Sequence, residues 1–416
     1  MRKLFLLRGM MGSGKSTFIR ENNLVRKTIS FDQFSEAVLN SRYDSFQDET
    51  IVNGTYFRKA NQLIGKLFNE ALYFKLEQGE SFIIDFNGHR VSDLNGLKKK
   101  AELYGYDVSV LNFGLKELDY YLSVNHKREV FKQVPEEAIK FRHKIFSENE
   151  SAIESEFNLV SKGDVVNYFL KTSDELAGEN TITNDVFVVG DIHGCFNTLQ
   201  KFIEQNNDGL FIFVGDYIDR GKHSGKVLQF VERHIDCENY VFLMGNHEQS
   251  LLKKLVAADK ERKDMCEEEY GMSYERVLDV LLKLKNYYFF NKDGKNYFIN
   301  HGGFNTVPKY PNFSHTSNYF SGSGEFKLGV DKLFEKQHNG DNWHQIHGHR
   351  NEKEFVCFGN LENKKSISLE CKVEFGGNLP IVKLSKNKVT GFYINSDSKD
   401  VELDYFEFKK KLNKTN

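Results

Sequence analysis

The sequence predicts an α/β protein with two domains. Short apolar strands alternate with segments in which apolar residues recur at helical spacing, an order typical of parallel sheets covered by helices. The alternation stops at a polar stretch, KTSDELAGENTITND (171–185), and then starts again. A chain of 416 residues is also too long for one ordinary core. We therefore predict a first domain over 1–165, a linker over 166–184, a second domain over 185–398 and a tail over 399–416.

The first domain alternates strand and helix from its first residues. The predicted strands are KLFLLR (3–8), KTISFD (27–32), SFIIDF (81–86) and DVSVLNF (107–113). The predicted helices begin near Lys15 and then cover 56–79, 91–104, 116–131 and 135–146. Pro135 opens the last helix, because its ring fixes the backbone angle that a first helical residue needs.

The second domain repeats this alternation after the polar stretch. The predicted strands are VFVVGD (186–191), LFIFVGD (210–216), YVFLMGN (240–246), NYFIN (296–300) and HQIHGH (344–349). Helices are predicted near 195–206 and 224–236. The second domain thus resumes the alternation that, in the first domain, predicts a parallel sheet with covering helices.

Composition and charge limit the function classes. Hydrophobic residues make up 39% and charged residues 28% of the chain, as in a globular protein. The formal net charge is −2, so a polyanion would have to bind at a local basic site. Five cysteines without metal-site or disulfide spacing predict a reducing, cytoplasmic location. No apolar run approaches the ~20 residues of a membrane span, so we expect no membrane partner.

A glycine-rich loop lies between the first strand and the first helix. Gly9 to Ser16 fit the P-loop pattern G-x-x-x-x-G-K-S, in which backbone N–H groups and a helix N-terminus surround phosphate oxygens. The lysine bridges the β- and γ-phosphates of a nucleoside triphosphate and the serine holds Mg²⁺. The predicted ATP-binding residues are Gly12, Ser13, Gly14, Lys15, Ser16 and Thr17.

Two strand-end carboxylates and a basic stretch accompany this loop. Asp32 is interpreted either as a base that activates the phosphate acceptor or as a plain helix N-cap. Asp85 is interpreted either as a magnesium or water ligand or as a cap. The basic stretch 125–144 is either a solvated helix face or a lid over the transferred phosphate.

Four ordered motifs of the first domain resemble the polynucleotide 5′-kinases of bacteriophages and bacterial RNA repair. They are GMMGSGKST, SFDQF, IIDFN, and NHKR followed by VPEE, over about residues 1–148. The resemblance implies that Lys15 and Ser16 bind ATP and Mg²⁺, that Asp32 activates a 5′-OH, and that Arg128 contacts the ATP phosphates. That family usually has an arginine three residues after the aspartate, where this chain has Ser35.

The second domain carries five motifs rich in metal-ligating residues. They are GDIHG, GDYIDRG, GNHE, HGG and GHR, beginning at Gly190, Gly215, Gly245, His301 and Gly348. The first three follow apolar strands, so their polar residues are expected at one edge of a sheet. Such carboxylates, imidazoles and an amide suit two divalent ions about 3.5–4 Å apart.

Roles within this second group follow from the chemistry. Asp216 is the expected bridge between the ions, and His247 is the expected proton donor to the leaving oxygen. Asp219 is expected to orient that imidazole, and Arg220 to bind the phosphate.

These motifs resemble the calcineurin-like metallophosphoesterases, over about residues 185–385. The resemblance implies an αβ sandwich and two ions, expected to be Mn²⁺. It also implies the metal ligands Asp191, His193, Asp216, Asn246, His301 and His349. Residues 366–384 resemble a closing strand pair, in which Glu370 stands where an aspartate is more usual.

The two resemblances together predict an RNA end-healing enzyme. The kinase would phosphorylate a 5′-OH, and the phosphatase would remove a 3′-phosphate or a 2′,3′-cyclic phosphate. RNA ends, with DNA ends as a second option, and a separate RNA ligase are the expected partners, and self-association stays open. The alternative is a kinase fused to a signalling phosphatase that acts on dinucleoside polyphosphates or proteins. A third interpretation makes the ATP site a regulator of the phosphatase.

Overall fold

The computed structural model divides into two compact units, Met1–Leu170 and Lys171–Asn416. The division falls inside the predicted linker 166–184, but much of that stretch is helical. A capping box explains the difference: the Thr172 side chain accepts from Glu175 N–H, and the Glu175 side chain accepts from Thr172 N–H. This polar cluster starts a helix instead of forming a loop. The structure describes residues 2–38, 55–128, 133–256, 260–325, 329–350 and 361–401.

The first unit contains a five-stranded parallel sheet in the order β2-β3-β1-β4-β5. Its strands are β1 (Arg2–Arg8), β2 (Thr28–Ser30), β3 (Phe82–Asp85), β4 (Tyr106–Asn112) and β5 (Asn158–Leu159). Its described helices are Lys15–Glu21, Phe31–Val38, Thr55–Gln78, Val91–Glu102, Leu118–His126, Glu136–Glu148, Glu150–Glu156 and Lys162–Leu170. Strand β1 lies between β3 and β4, so the loops after β1 and β3 leave the same edge as neighbours.

A buried arginine fastens this edge of the first unit. Arg8, at the end of β1, is fully buried and forms an ion pair with Glu150. Its Nε donates to the carbonyl oxygen of Gly88 over 3.1 Å, and its guanidinium lies 3.5 Å from the ring centroid of Phe146. One side chain thus connects β1, the loop after β3 and the helix Glu136–Glu148.

The second unit contains two sheets. The first has the order β14-β13-β6-β7-β8 and consists of β6 (Val186–Val189), β7 (Leu210–Phe213), β8 (Tyr240–Phe242), β13 (Asn378–Ser385) and β14 (Lys388–Asn395). The second has the order β12-β11-β10-β9 and consists of β9 (Tyr287–Lys292), β10 (Lys295–Asn300), β11 (Trp343–His347) and β12 (Ser366–Ser368). The described helices of the second unit are Ser173–Glu179, Phe196–Gln205, Ser224–His234, Asn246–Val256, Lys260–Tyr270, Tyr274–Lys283, Ser317–Ser321 and Val330–Gln337.

The two sheets share a buried apolar cluster that includes Val188 and Ile212 from one and Ile299 and Ile346 from the other. On the outer face of each sheet, helices pack through a second buried apolar cluster. The unit is therefore layered as helix, sheet, sheet, helix. The expected closing strand pair over 366–384 is not formed, because β12 and β13 belong to different sheets and β13 pairs with β14.

The last described residues belong to the second unit, so the predicted tail 399–416 begins too early. Asp400 is fully buried, and its carboxylate accepts from the backbone N–H groups of Asn197 and Thr198 over 3.1 and 2.8 Å. It therefore caps the helix Phe196–Gln205. The basic run of the tail lies outside the described residues. Among the helices of the described part of the chain, none is long and apolar enough to cross a membrane.

Replacing Asp400 with alanine should destabilise the second unit by about 2 kcal/mol, the upper range for a lost N-cap. Urea unfolding followed by the fluorescence of Trp343, the single tryptophan, reports on this unit. The neighbouring exposed Lys399 supplies the control Lys399→Ala, for which we expect little change. Equal midpoints for the two variants would contradict the capping role.

Candidate active sites

The glycine-rich loop of the first unit has the conformation of an anion site. Gly12 and Gly14 have φ angles of 81° and 98°, which side-chain-bearing residues rarely adopt. Lys15 is 7% exposed, and its Nζ donates to the carbonyl oxygens of Gly9 and Met10 over 2.6 and 3.2 Å. Burial lowers the pKa of Lys15 to about 8. A buried ammonium at a helix N-terminus favours a bound anion such as a phosphate.

Ser16 and Asp85 lie together beside this loop. The Ser16 hydroxyl is 3.3 Å from Asp85 Oδ2, and Asp85 ends β3 with only 8% exposure. The next helix has Arg90 at its N-cap, so Asp85 is not the N-cap of that helix. A hydroxyl beside a carboxylate is a pair that Mg²⁺ accepts, which favours the magnesium interpretation.

Asp32 stands in the first turn of the helix Phe31–Val38 and not at the end of a strand, because β2 stops at Ser30. The Ser30 hydroxyl accepts from the Asp32 N–H over 3.2 Å, so the serine caps this helix. Asp32 itself is exposed, and the cap interpretation for it is wrong. Ser35 is buried and donates to the carbonyl oxygen of Phe31 over 3.1 Å.

One cavity of about 740 Å³ brings the predicted residues of the first unit together. Its lining includes Gly12, Gly14, Lys15, Ser16, Thr17, Asp32, Asp85 and Arg128. Ser13 lies outside this lining, and its buried Oγ has no hydrogen-bond partner among the described residues. His89 and Arg142 also line the cavity, although neither was a predicted site residue and Arg142 entered only as part of the basic stretch 125–144. Residues 129–132 of the predicted lid stretch 125–144 lie outside the described residues.

The second unit places its polar motifs at the carboxyl ends of β6, β7, β8, β10 and β11. Several of these residues have a left-handed backbone, which costs on the order of 1–3 kcal/mol each and is concentrated at functional sites. They are His193 (φ 43°), Asp216 (53°), Asp219 (67°), Arg220 (69°) and His349 (58°).

Asp216 lies at the centre of the group. Its Oδ2 is 3.3 Å from His301 Nε2, 3.6 Å from His193 Nε2 and 3.9 Å from His247 Nε2. In His193 and His301 the other ring nitrogen, Nδ1, contacts a backbone carbonyl oxygen, at 3.1 and 3.2 Å, so Nε2 is the ring atom that faces Asp216. Asn246 Oδ1 is 3.0 Å from His301 Nε2. The central position of the Asp216 carboxylate is the one that a carboxylate shared by two ions would occupy.

Asp191 belongs to a second cluster of possible metal ligands. Asp191, His193 and Glu370 have ligand atoms within 4.8 Å of one another, as do Asp216, His301 and His349. Burial and the charge of the neighbouring Glu370 raise the pKa of Asp191. A cation between the two carboxylates would relieve this repulsion.

The donor set fits divalent ions. Asp191 Oδ1 is buried without a hydrogen-bond partner among the described residues. Burial lowers the pKa of His349 to about 3, so its imidazole is neutral and able to ligate. Glu370 belongs to this set although the sequence prediction did not count it as a ligand.

Glu248 holds the central loops in place. Its Oε2 accepts from Asp216 N–H and Gly245 N–H over 2.9 and 3.1 Å. Its Oε1 accepts from Tyr217 N–H and Ile218 N–H over 2.7 and 3.2 Å. Glu248 is fully buried, and its position after His247 was the only available signal for it in the sequence.

The residues predicted to transfer a proton and to bind the phosphate, His247 and Arg220, lie at the edge of this cluster. His247 Nδ1 lies 2.5 Å from Asp219 Oδ2, so the carboxylate orients the imidazole as expected from its chemistry. Arg220 is partly exposed, and its Nη1 lies 2.9 Å from Glu374 Oε1 and 3.0 Å from His193 Nε2. Glu374 was not identified from the sequence.

Residues 185–375 match the model of the calcineurin-like phosphoesterase family. They form a calcineurin-like phosphoesterase domain. His347 does not join the donors of this phosphoesterase domain, because its Nε2 contacts Asp331 Oδ1 at 3.1 Å. The fold class predicted for the second unit, α/β with a metallophosphoesterase domain, is therefore confirmed.

Relatives of the phosphoesterase domain cover only part of the chain. The asymmetrical bis(5′-nucleosyl)-tetraphosphatase PrpE of Halalkalibacterium halodurans is 28% identical over 117 residues, 24% of this chain and 48% of the relative. A symmetrical bis(5′-nucleosyl)-tetraphosphatase of Buchnera aphidicola is 37% identical over 82 residues, 18% of this chain and 28% of the relative. The serine/threonine-protein phosphatase PP1-delta of Caenorhabditis elegans is 38% identical over 68 residues, 15% of this chain and 22% of the relative. The chain thus spans at most about half the length of these relatives.

Nucleotide binding to the first unit should weaken above about pH 8. The pKa of Lys15 is lowered to about 8, so its ammonium is present below that pH and is lost above it. We expect the dissociation constant for ADP, measured by calorimetry at constant ionic strength, to rise several-fold between pH 7 and 9.5. Lys15→Arg keeps its charge over this range and should lose the pH dependence. An equal pH dependence of the ADP dissociation constant in both proteins would contradict the role of Lys15 in nucleotide binding.

Neutralising Glu370 should weaken Mn²⁺ binding to the phosphoesterase domain by about 10- to 100-fold. Glu370→Gln keeps the size of the side chain and removes a charge beside Asp191. The electron paramagnetic resonance signal of free Mn²⁺ measures the affinity. The exposed Glu362 supplies the matched control Glu362→Gln, and equal affinities in both variants would exclude Glu370 from the site.

Proposed function

We propose that this chain is a phosphoryl-transfer enzyme with two active sites, a nucleoside-triphosphate-dependent kinase and a metal-dependent phosphoesterase. One observation carries the proposal. In each unit the residues able to handle phosphate gather at the carboxyl ends of parallel strands, around Lys15 in the first and Asp216 in the second.

The phosphoesterase reaction is assigned to the second unit. Two divalent ions, proposed as Mn²⁺, would be held by Asp191, His193, Asp216, Asn246, His301 and His349, with Glu370 beside them. Bound there, the ions would polarise the phosphate and supply a nucleophile at neutral pH. His247, oriented by Asp219, donates a proton to the leaving oxygen. Arg220, held by Glu374, binds a phosphate oxygen.

Dinucleoside polyphosphates are the substrate class that the relatives favour for this unit. Two of the relatives are named as bis(5′-nucleosyl)-tetraphosphatases and one as a protein phosphatase. These names support a kinase fused to a signalling phosphatase better than they support end healing. The matched segments are short, so the substrate is a proposal for this chain.

The kinase reaction is assigned to the first unit. Lys15 binds the β- and γ-phosphates, and Ser16 with Asp85 would hold Mg²⁺. Asp32, exposed on the same cavity, accepts the proton of the acceptor hydroxyl, and Arg128 binds the transferred phosphate. A site that only senses a nucleotide would need neither Asp32 nor Arg128 in this cavity.

Healing of RNA ends is the second candidate, supported by Asp32 and Arg128 in one cavity with Lys15. The kinase would phosphorylate the 5′-OH of an RNA, or of a DNA, in the cytoplasm. The phosphoesterase would remove a 3′-phosphate or a 2′,3′-cyclic phosphate. The cyclic end favours RNA, because it forms only where a 2′-OH is present. A separate RNA ligase would then join the ends.

Two substrates distinguish the candidates. End healing predicts that an RNA oligonucleotide with 5′-OH and 3′-phosphate ends, given with ATP, gains a 5′-phosphate with the unmodified protein but not with Lys15→Ala, and loses its 3′-phosphate with the unmodified protein but not with Asp191→Ala. The signalling-phosphatase candidate predicts instead that diadenosine tetraphosphate is cleaved by the unmodified protein but not by Asp191→Ala. Each variant should lower its own reaction by at least about 100-fold and leave the other unchanged.

The outcomes are separable. Cleavage of diadenosine tetraphosphate with both RNA ends untouched would leave only the signalling-phosphatase candidate. Processing of both RNA ends with diadenosine tetraphosphate intact would leave only end healing. Loss of both reactions in Lys15→Ala would contradict the assignment of two separate active sites.

A further inference from the structure

The cavity of the first unit is lined by basic side chains beyond those assigned to the triphosphate donor. Lys15 and Arg128 are assigned to the donor under the proposed kinase function, on which this inference rests. His89 and Arg142 line the same cavity and have no role in that assignment.

His89 is held on a rigid loop after β3. The Gly9 N–H donates to the carbonyl oxygen of Asn87 over 3.2 Å, and Arg8 Nε donates to that of Gly88 over 3.1 Å. The His89 ring packs edge-on against Phe146, with centroids 6.3 Å apart. Its Nε2 is buried and has no hydrogen-bond partner within the described part of the chain. A fixed imidazole with an unused nitrogen is available to a ligand.

Arg142 stands next to this imidazole. It lies four residues before Phe146 on the helix Glu136–Glu148, so both side chains share one helix face. Burial lowers the pKa of Arg142, yet residues 2–38, 55–128 and 133–170 of the first unit supply it with neither a hydrogen bond nor an ion pair. Its planar guanidinium suits two oxygens of a phosphate.

The pair lies in a region of positive charge. Burial, followed by the charges of Arg142, Lys15, Arg8 and Arg90, lowers the pKa of His89 to about 4. A bound anion would relieve this repulsion and supply the missing hydrogen-bond partners. Ser35 cannot provide such a contact, because it is buried and donates to its own helix.

We infer that His89 and Arg142 form a subsite for a phosphate group of the acceptor, next to its terminal hydroxyl. The first unit then selects a nucleic-acid strand over an alcohol without a neighbouring phosphate. The same chemistry could bind a phosphate of the donor, so donor and acceptor are tested separately.

The test uses two dinucleotides of the same size in the presence of saturating ADP. One is ApA with its charged phosphodiester, and the other is ApA with an uncharged methylphosphonate linkage. Calorimetry should show that the full-length protein binds the charged dinucleotide about 10- to 100-fold more tightly. Arg142→Gln should abolish this preference, and His89→Ala should reduce it. Lys144→Gln, which removes a 76% exposed charge from the same helix, should keep it.

Equal binding of the two dinucleotides by the unmodified protein would overturn the subsite, as would equal behaviour of Arg142→Gln and Lys144→Gln. A loss of ADP affinity in Arg142→Gln, with the preference between dinucleotides retained, would assign the pair to the donor and also overturn it. An Arg142-dependent preference without any phosphorylation by ATP would uphold the subsite and reject the kinase function.

Discussion

The carboxylate of Glu248 is the interaction on which the phosphoesterase site depends. Four backbone N–H groups, from Gly245 and from residues 216–218, end on its two oxygens. These bonds join the turn after β7 to the turn after β8. The Asp216 backbone is left-handed there, a conformation that persists only when surrounding contacts enforce it. Asp216 faces three imidazoles, so Glu248 fixes the carboxylate around which these imidazoles lie.

Arg8 has the corresponding part in the first unit. It connects the end of β1 with the loop after β3 and with the helix that carries Arg142. The glycine-rich loop, Asp85 and the His89–Arg142 pair are therefore positioned by neighbouring strands of one parallel sheet. In both units a fully buried polar side chain holds together the loops that carry the reactive groups.

The parallel sheet of the first unit, the strands β6, β7 and β8 of the second and the polar motifs that follow them could be predicted from the sequence. Apolar strands followed by glycine and polar residues have a clear pattern. Local hydrogen bonding was harder to predict. Ser30 caps a helix that Asp32 was a candidate to cap, since serine and aspartate are both good caps and only geometry decides between them. Glu370 and Glu374 join the second site from a distant segment, and no spacing rule connects them with residues 191–220. The polar stretch near 172 became a helix through a capping box.

Anomalous diffraction from crystals grown with Mn²⁺ tests the central claim most directly. We expect two peaks about 3.5–4 Å apart, with the Asp216 carboxylate between them. One ion should also contact Asp191 and His193, and the other Asn246, His301 and His349. A single peak, or two peaks that do not share Asp216, would contradict the proposed two-ion phosphoesterase site.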